Sequence, residues 1–361
     1  MSKAYVPGDV RLRGRGTAAN PPNRFERLRH VVEADDLPAA PDPEAPALRT
    51  TFHRDASRTI LATNDSPDIP FDVSLNPYRG CEHGCAYCYA RPTHEFLGFS
   101  AGLDFESRIL VKEDAPELLR RELSRRGWRP QVVALSGVTD PYQPVERKLR
   151  LTRRCLEVFL EFRNPVSLIT KSDLVVRDAD LLAALAVFGA AAVAVSIATL
   201  DDAVARALEP RAPSPRARLE AVGALAAAGV PCGVYTAPAI PGLNDHEIPA
   251  ILAAAKRSGA RWAGVVPLRL PGAVAGLFVD WLDRHLPLRK EKILGRLRDV
   301  RGGRLNDPDF GSRMRGDGAI AEQIGALFRA AARREGLGEE GPELSAASFR
   351  VPSGPQLPLF P

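Results

Sequence analysis

Three of the five cysteines fall within eight residues, in Asn76-Pro-Tyr-Arg-Gly-Cys81-Glu-His-Gly-Cys85-Ala-Tyr-Cys88-Tyr-Ala. The spacing is C-x3-C-x2-C. An odd number of cysteines, three of them crowded on one loop, makes a poor disulfide framework and a good set of metal ligands. Soft thiolates suit an iron–sulfur cluster. Three of them hold three irons of a cubane and leave the fourth open to a substrate or cofactor. Gly80 and Gly84 let the backbone wrap closely around such a group. Two rival readings use the same residues. Structural zinc asks for a fourth ligand, for which His83 sits awkwardly between two of the cysteines. The other is a cysteine loop with no metal. Cys155, among Leu151, Leu156 and Phe159, reads as core. Cys232 reads as packing beside a strand, with a redox or hydrogen-donor role as its alternative.

The elements that must position this loop are legible as short apolar runs alternating with helical patterns. Strands are expected at Asp72–Leu75, Val132–Ser136, Val166–Thr170, Ala191–Ile197, Gly233–Ala237 and Gly264–Leu268. Between them, helices are expected at Ala115–Arg126, Thr152–Phe162, Asp178–Phe188, Pro215–Ala228 and Asp245–Ser258. Six βα repeats imply an α/β fold with a parallel sheet. Six units suit a partial, open (β/α)6 TIM-like barrel, with chemistry at the strand tips. The polar residues there are Asn76, Thr139, Asp140, Lys171, Ser196 and Thr236 with Pro238, which makes them candidates to face one cavity.

Beyond Pro271 the repeat stops, and Phe278–Leu286, Lys290–Val300 and Ala319–Glu335 read as helices of a C-terminal extension. The organisation expected is an Arg/Pro-rich disordered arm over 1–50, the barrel over 51–272, the helical extension over 273–336 and a flexible tail over 337–361. Lys3, Arg11, Arg13, Arg15, Arg24, Arg27 and Arg29 face only Asp9 and Glu26 in the first thirty residues. Such an arm reads as solvated, or as touching nucleic-acid phosphates. The chain is 45% hydrophobic with a net charge of +5, which permits a nucleic-acid partner without requiring one. No run of eighteen apolar residues and no signal-like apolar N-terminal segment is present, so no membrane partner and a cytoplasmic location are expected.

The cysteine spacing, with an aromatic residue just before the third cysteine, resembles the signature of the radical S-adenosylmethionine (SAM) superfamily. Four further stretches resemble its DNA-repair-photolyase-like branch, the relatives of spore photoproduct lyase. They are Phe71-Asp-Val-Ser-Leu-Asn-Pro-Tyr-Arg-Gly, Tyr87-Cys-Tyr-Ala-Arg-Pro-Thr-His-Glu, Ser136-Gly-Val-Thr-Asp-Pro-Tyr-Gln-Pro-Val-Glu and Glu209-Pro-Arg-Ala-Pro-Ser-Pro. The likeness spans about residues 55–300 and is to an uncharacterised subgroup. It implies a [4Fe–4S] cluster on Cys81, Cys85 and Cys88, whose open iron chelates SAM. Reduction, from a reductase or flavodoxin-type electron donor, then cleaves SAM to methionine and a 5′-deoxyadenosyl radical that abstracts hydrogen from substrate.

Carried over by position, the resemblance gives Tyr87 and Ala237 adenine contacts, Thr139 a methionyl contact, Lys171 the SAM carboxylate and Ser196 the ribose. Read from the residues alone, the alternatives are a solvated lysine for Lys171, a helix cap for Thr139 and a core hydroxyl for Ser196, and placement at strand tips favours the functional roles. Asp140 and Glu146 are candidates to orient neighbours, and Glu209 with Arg211 a rim ion pair. Tyr89 matches a tyrosine that relays hydrogen. One departure stands out: the lyases carry a hydrogen-donating cysteine just before the Thr/Ser-Asp pair, whereas this chain reads Leu135-Ser-Gly-Val-Thr-Asp140.

At the other end, Gln356-Leu357-Pro-Leu359-Phe360 resembles the short peptide by which bacterial repair proteins dock on the DNA-polymerase sliding clamp, with Leu359 and Phe360 suited to an apolar pocket. The function expected is radical hydrogen abstraction in DNA repair or nucleic-acid modification. The alternatives are the same chemistry on a small molecule, peptide or RNA, and a non-enzymatic, clamp-tethered metal-binding protein.

Overall fold

The computed structural model describes residues 14–26 and 48–352. Ten strands occur among them: β1 (Thr51–Arg54), β2 (Leu61–Thr63), β3 (Val73–Leu75), β4 (Tyr78–Arg79), β5 (Arg108–Val111), β6 (Val133–Leu135), β7 (Val166–Thr170), β8 (Ala191–Ser196), β9 (Cys232–Ala239) and β10 (Trp262–Pro267). Strands β3, β6, β7, β8, β9 and β10 lie side by side in that order and are all parallel. These are the six expected strands, within a residue or two at each end. Strand β2 adds an antiparallel edge next to β3.

The register sets the core. Leu75, Leu135, Leu168, Val193 and Cys232 pair in a row across five strands, and none is exposed. Each is apolar because both faces of the sheet are covered, one by helices and the other by the barrel interior. Cys232 ends this row, and Cys155 is equally buried on the helix Leu151–Phe162, so both serve packing. The crossovers run through helices at Ala115–Leu123, Leu151–Phe162, Ala179–Ala186, Pro215–Ala227 and Ile248–Arg257. Ser214 caps the fourth, its hydroxyl accepting from the Ala217 N–H, with Pro215 in the first turn.

Three features depart from expectation. A small second sheet, β1–β5–β4, combines two strands of the long crossover from β3 to β6 with β1 from before β2, and braces the cysteine loop. Its strands are two to four residues long and carry no clear alternation, so no periodic pattern marks them. Next, the described part of the expected solvated arm packs on the body: Thr17 and Asn23 are buried, and Asn23 Nδ2 donates to the carbonyls of Glu95 (2.8 Å) and Phe99 (3.0 Å). Of its arginines, Arg24 pairs with Glu95 at 3.4 Å and Arg15 is bound internally. Finally, the described part of the expected flexible tail is laid along the body. Gly338 closes the β10 edge through Ala263 N–H to Gly338 O (2.8 Å), and the Arg350 N–H donates to Phe162 O (2.9 Å). Covering an edge strand in this way satisfies its open ladder groups. The clamp-like residues Gln356, Leu357, Leu359 and Phe360, and Arg11, Arg13, Arg27 and Arg29, lie outside the described residues.

The extension is not a separate body. Its helices Val274–His285 and Lys290–Val300 share one apolar cluster with Cys85, Ala86 and Tyr87 through Phe278, Trp281 and Leu294. Among the described residues no helix is long and apolar enough to cross a membrane. Truncating the central row tests this packing. Leu168→Ala should lower unfolding free energy by about 2–5 kcal/mol, read from chemical denaturation. Leu288→Ala, on a fully exposed side chain, should leave the midpoint in place. Equal effects of the two would contradict the assigned core.

Candidate active site

The cysteine loop follows β4 directly. Gly80 and Gly84 both take positive φ (80° and 66°). At Gly84 a Cβ would lie 2.6 Å from Glu106 Oε2, so glycine is required there twice over. The N-terminal segment approaches just as closely: a Cβ on Gly16 would sit 1.7 Å from the Gly84 carbonyl oxygen. Cys81 N–H donates to Phe105 O (2.9 Å), and Ala86 N–H donates to Leu208 O (3.0 Å).

Beneath the loop lies a fully buried ion pair, Arg91–Glu106, at 2.7 Å. Arg91 Nε and Nη2 donate to Cys85 O (2.9 and 2.7 Å), and Nη1 donates to Ala101 O (3.2 Å) and Gly102 O (2.9 Å). Glu106 accepts further from Gly16 N–H (2.9 Å), Thr17 N–H (3.0 Å) and the Thr17 hydroxyl (2.8 Å). Two charges removed from water persist only when so fully partnered. Arg91 falls in the Tyr87–Glu95 stretch that resembles the family, but nothing in the sequence pairs it with Glu106, fifteen positions on, or gives Glu106 a signal of its own.

Cys81 and Cys85 are buried and Cys88 partly so. Burial pushes the Cys85 thiol well above its usual range, with Glu209 adding to the rise and Lys171 opposing it. Cys88 is raised as well, first by burial, with Cys81 adding to it. The neighbouring sulfur groups add to the rise at both Cys85 and Cys88. Bound metal reverses that balance, because a coordinating thiol is deprotonated outright. The donor set therefore fits a thiolate-held iron–sulfur cluster. Among the described residues no three His, Cys, Asp or Glu side chains converge as ligands of one metal ion. A cubane asks for a different arrangement, in which each thiolate takes its own iron. His83 is buried with Nδ1 3.4 Å from Asp140 Oδ2, an ionic contact rather than an aligned hydrogen bond.

Beside the loop the strand tips bring four candidates together. Lys171 Nζ donates to Ser196 Oγ (2.8 Å), which donates to Ala237 O (2.9 Å). Lys171 Nζ stands 5.9 Å from the centre of the Tyr87 ring and 3.9 Å from Glu209 Oε1. The Tyr87 hydroxyl donates to Glu209, which pairs with the buried Arg218. This corrects the expected Glu209–Arg211 rim pair: Glu209 is buried, and Arg211 pairs with Glu82 at 3.1 Å. Parallel neighbours in register explain the grouping, since Ser196 ends β8 opposite Tyr235 of β9, and Lys171 directly follows β7.

Thr139 stands somewhat apart. Its hydroxyl donates to Tyr78 O (3.3 Å), and Asn76 Oδ1 accepts its N–H (3.1 Å). Asp140 links the two groups by accepting Lys171 N–H (2.7 Å) and the Thr170 hydroxyl (2.7 Å). Burial alone would raise the Asp140 carboxyl, but His83 and these donors hold it at about 2. Glu146 is buried, accepting from Tyr78 and from the N–H groups of Leu151 (3.0 Å) and Thr152 (3.1 Å). Thr236 is buried in β9, and its hydroxyl has no hydrogen-bond partner among the described residues. Tyr89 is 50% exposed, its hydroxyl donating to Gly137 O and its ring centre 5.7 Å from the Arg269 guanidinium. Ser136, in the same loop, holds φ at 149°, a conformation that only glycine adopts easily.

A family model described as the radical SAM superfamily matches residues 75–255. The chain is 37% identical over 271 residues to the uncharacterized protein Rv2578c of Mycobacterium tuberculosis, covering 73% of this chain and 78% of that protein. It is 32% identical over 173 residues to the uncharacterized protein MJ0683 of Methanocaldococcus jannaschii, covering 48% and 62%. Among solved structures, a doubly substituted spore photoproduct lyase with bound AdoMet and dinucleoside spore photoproduct superposes with a TM-score of 0.59 at 16% identity over 80% of each chain. The same lyase complexed with the dinucleoside photoproduct superposes with a TM-score of 0.58 at 15% identity, covering 80% and 81%. At that identity the likeness is one of fold.

The clamp under the loop makes a direct prediction. Arg91→Gln should cost about 3–5 kcal/mol, because it strands Glu106. It should also lower the iron bound per chain after anaerobic reconstitution. Thr17→Val should cost about 1–3 kcal/mol by leaving one acceptor short. Full iron content and an unmoved denaturation midpoint in Arg91→Gln would contradict the clamp.

Proposed function

Because the chain belongs to the radical SAM superfamily, whose cofactors are a [4Fe–4S] cluster and SAM, we propose that it abstracts hydrogen from a nucleic-acid substrate. The observation that carries the SAM chemistry of this reading is the Lys171–Ser196–Ala237 line beside the three cysteines. Cys81, Cys85 and Cys88 would hold the cluster, and the chemistry it would supply is one electron for the reductive cleavage of SAM.

The chain's own side chains prepare that event. Lys171 meets the methionyl carboxylate, a charge-assisted bond. Its Nζ is already directed by Ser196 Oγ, and its backbone is fixed by Asp140. Ser196 offers its hydroxyl to the ribose, and Ala237 its carbonyl to the adenine amine. Tyr87, locked to Glu209, forms a wall of the adenine site. Thr139 takes part on the methionyl side by turning its hydroxyl away from Tyr78 O.

Tyr89 is the hydrogen-relaying side chain at the Ser136–Asp140 loop, where no thiol is available. Cys155 and Cys232 are both committed to the core. A thiol-dependent repair cycle is therefore not the one proposed. Support for nucleic acid comes from the fold shared with a lyase that holds a dinucleoside photoproduct, from the net charge of +5 and from the clamp-like C-terminal peptide, which would tether the enzyme to the sliding clamp.

Anaerobically reconstituted protein, reduced with dithionite and given SAM, should release 5′-deoxyadenosine, and Cys85→Ala should release none. Lys171→Ala should raise the SAM concentration needed by about 10- to 100-fold, the worth of one hydrogen bond to a charged group. Damaged or modified DNA should stimulate release, and Tyr89→Phe should slow product formation while leaving SAM cleavage in place. Cleavage that persists in Cys85→Ala would reject the reading. Stimulation by a peptide, an RNA or a small-molecule extract in place of DNA would reassign the substrate.

A further inference from the structure

The strand tips carry a second cation that the SAM-directed set does not use. Arg269 stands two residues beyond Pro267, the end of β10. Strand β10 runs parallel to the strands that deliver Lys171 and Ser196, so the three residues share one end of the sheet. Tyr87 and Tyr89 flank Cys88 in the chain, and each faces a cation. Lys171 Nζ lies 5.9 Å from the centre of the Tyr87 ring, and the Arg269 guanidinium 5.7 Å from that of Tyr89.

The two cations differ in how they are satisfied. Lys171 has Ser196 and Glu209. Arg269 has one hydrogen-bond acceptor among the described residues, Met314 Sδ, 3.2 Å from Nη1, and a thioether accepts weakly. Its Nε is buried with no partner among those residues, and Nη2 makes no hydrogen bond there and is not enclosed. The acids near it are engaged elsewhere. Asp68 pairs with Arg313 and accepts the Gly311 N–H (2.6 Å), and Asp307 accepts the Asp309 N–H (2.9 Å). Burial, and then the charge of Arg313, lowers the Arg269 pKa.

The surrounding bonds hold Arg269 in this position. Buried Arg301 donates through Nη2 to Pro267 O (3.3 Å) and Leu268 O (2.7 Å), just before Arg269. Through Nη1 it donates to Ser312 O (3.2 Å) and Arg313 O (2.8 Å), on either side of which lie Gly311 and Met314. Arg313 in turn donates to Ser66 Oγ (2.5 Å) and pairs with Asp68, both in the β2–β3 connection. Residues 311–314 thus link the neighbourhoods of the two edge strands, β10 and β2. Two exposed rings belong to the same group. Tyr89 is 50% exposed, and Phe310, its centre 4.3 Å from the Arg313 guanidinium, is 60% exposed.

We propose that Arg269, with Arg313 near it, is the receptor for a backbone phosphate of the substrate strand. The proposal rests on the reading of the substrate as nucleic acid and assigns the side chains that grip it. A guanidinium with Nε and Nη2 unused matches the oxygens of a phosphodiester. Tyr89 and Phe310 offer ring faces on which neighbouring bases stack. A phosphate held by Arg269 sets the adjoining nucleotide against Tyr89, at the sheet end where Lys171 and Ser196 meet SAM. Lys171 serves the SAM carboxylate, which leaves Arg269 to the substrate.

The test uses reconstituted holoenzyme and a fluorescein-labelled single-stranded oligodeoxynucleotide, made once with phosphodiester links and once with uncharged methylphosphonate links. Arg269→Gln should weaken binding of the phosphodiester strand by about tenfold, the worth of a hydrogen bond to a charged group. The slope of log affinity against log salt should fall by about 0.7, one phosphate contact on a single strand. Affinity for the methylphosphonate strand should hardly change. Arg269→Lys, which keeps the charge and loses the fork, should fall between. Arg216→Gln removes the same charge from a side chain 87% exposed on the helix Pro215–Ala227 and should leave binding in place. Equal losses on the two strands would make Arg269 a structural residue and overturn the proposal. So would undiminished phosphodiester binding in Arg269→Gln, or a variant that instead needs more SAM to shift the cluster resonance, which would assign the arginine to the cofactor. An unaltered protein that binds neither strand would reject the nucleic-acid reading itself.

Discussion

The site depends on a charge buried where charge is costly. Arg91 and Glu106 are wholly inside, and the cysteine loop is shaped by how they are satisfied. The guanidinium takes the Cys85 carbonyl with two of its donors, and the carboxylate takes the N-terminal segment with three further bonds. A buried pair adds little to stability by comparison with apolar packing, but it tolerates few alternative geometries. Here it fixes the backbone path between Cys81 and Cys88. The same bonds explain why Gly16 and Gly84 come into backbone contact, and why residues 14–17 belong to the site.

The parallel sheet supplies the second half. Strands in register deliver Lys171, Ser196 and Ala237 to adjacent positions at one end, each on a different βα unit. No two are closer than twenty-five residues in the chain. Their approach to the cysteine loop runs through Tyr87 and Glu209, which tie the loop to the β8 side. The extension completes this from the other face by packing Phe278 and Trp281 against the segment that carries Cys85. Loop, sheet end and extension are therefore one mechanical unit.

Much of this is legible in the sequence, for physical reasons. A parallel strand buried on both faces must be apolar throughout, so Ala191–Ser196 and Val166–Thr170 announce themselves. Thiols at C-x3-C-x2-C are rare enough to carry chemistry by spacing alone. Lys171 and Ser196 are reachable because the residue that ends such a strand has a predictable place. What stays hidden depends on tertiary partners. Arg91 sits in a family-resembling stretch, but Glu106 looks like a solvent residue and nothing in the sequence shows that the two meet. Glu209 looks paired with Arg211, two positions on, but finds Arg218 instead. Residues 14–26 and 337–350 lack apolar periodicity because they are held by backbone bonds and a few side chains such as Thr17, Asn23 and Phe349.

The central claim is that three thiolates on this loop leave one iron open, and that SAM occupies it under the guidance of Lys171 and its neighbours. Electron paramagnetic resonance of the anaerobically reduced protein, recorded with and without SAM, tests it most directly. A reduced [4Fe–4S] signal that shifts on adding SAM, and no longer shifts in Lys171→Ala at the same SAM concentration, is the result predicted. A signal unmoved by saturating SAM, or a protein that holds one zinc and no iron or sulfide, would contradict it.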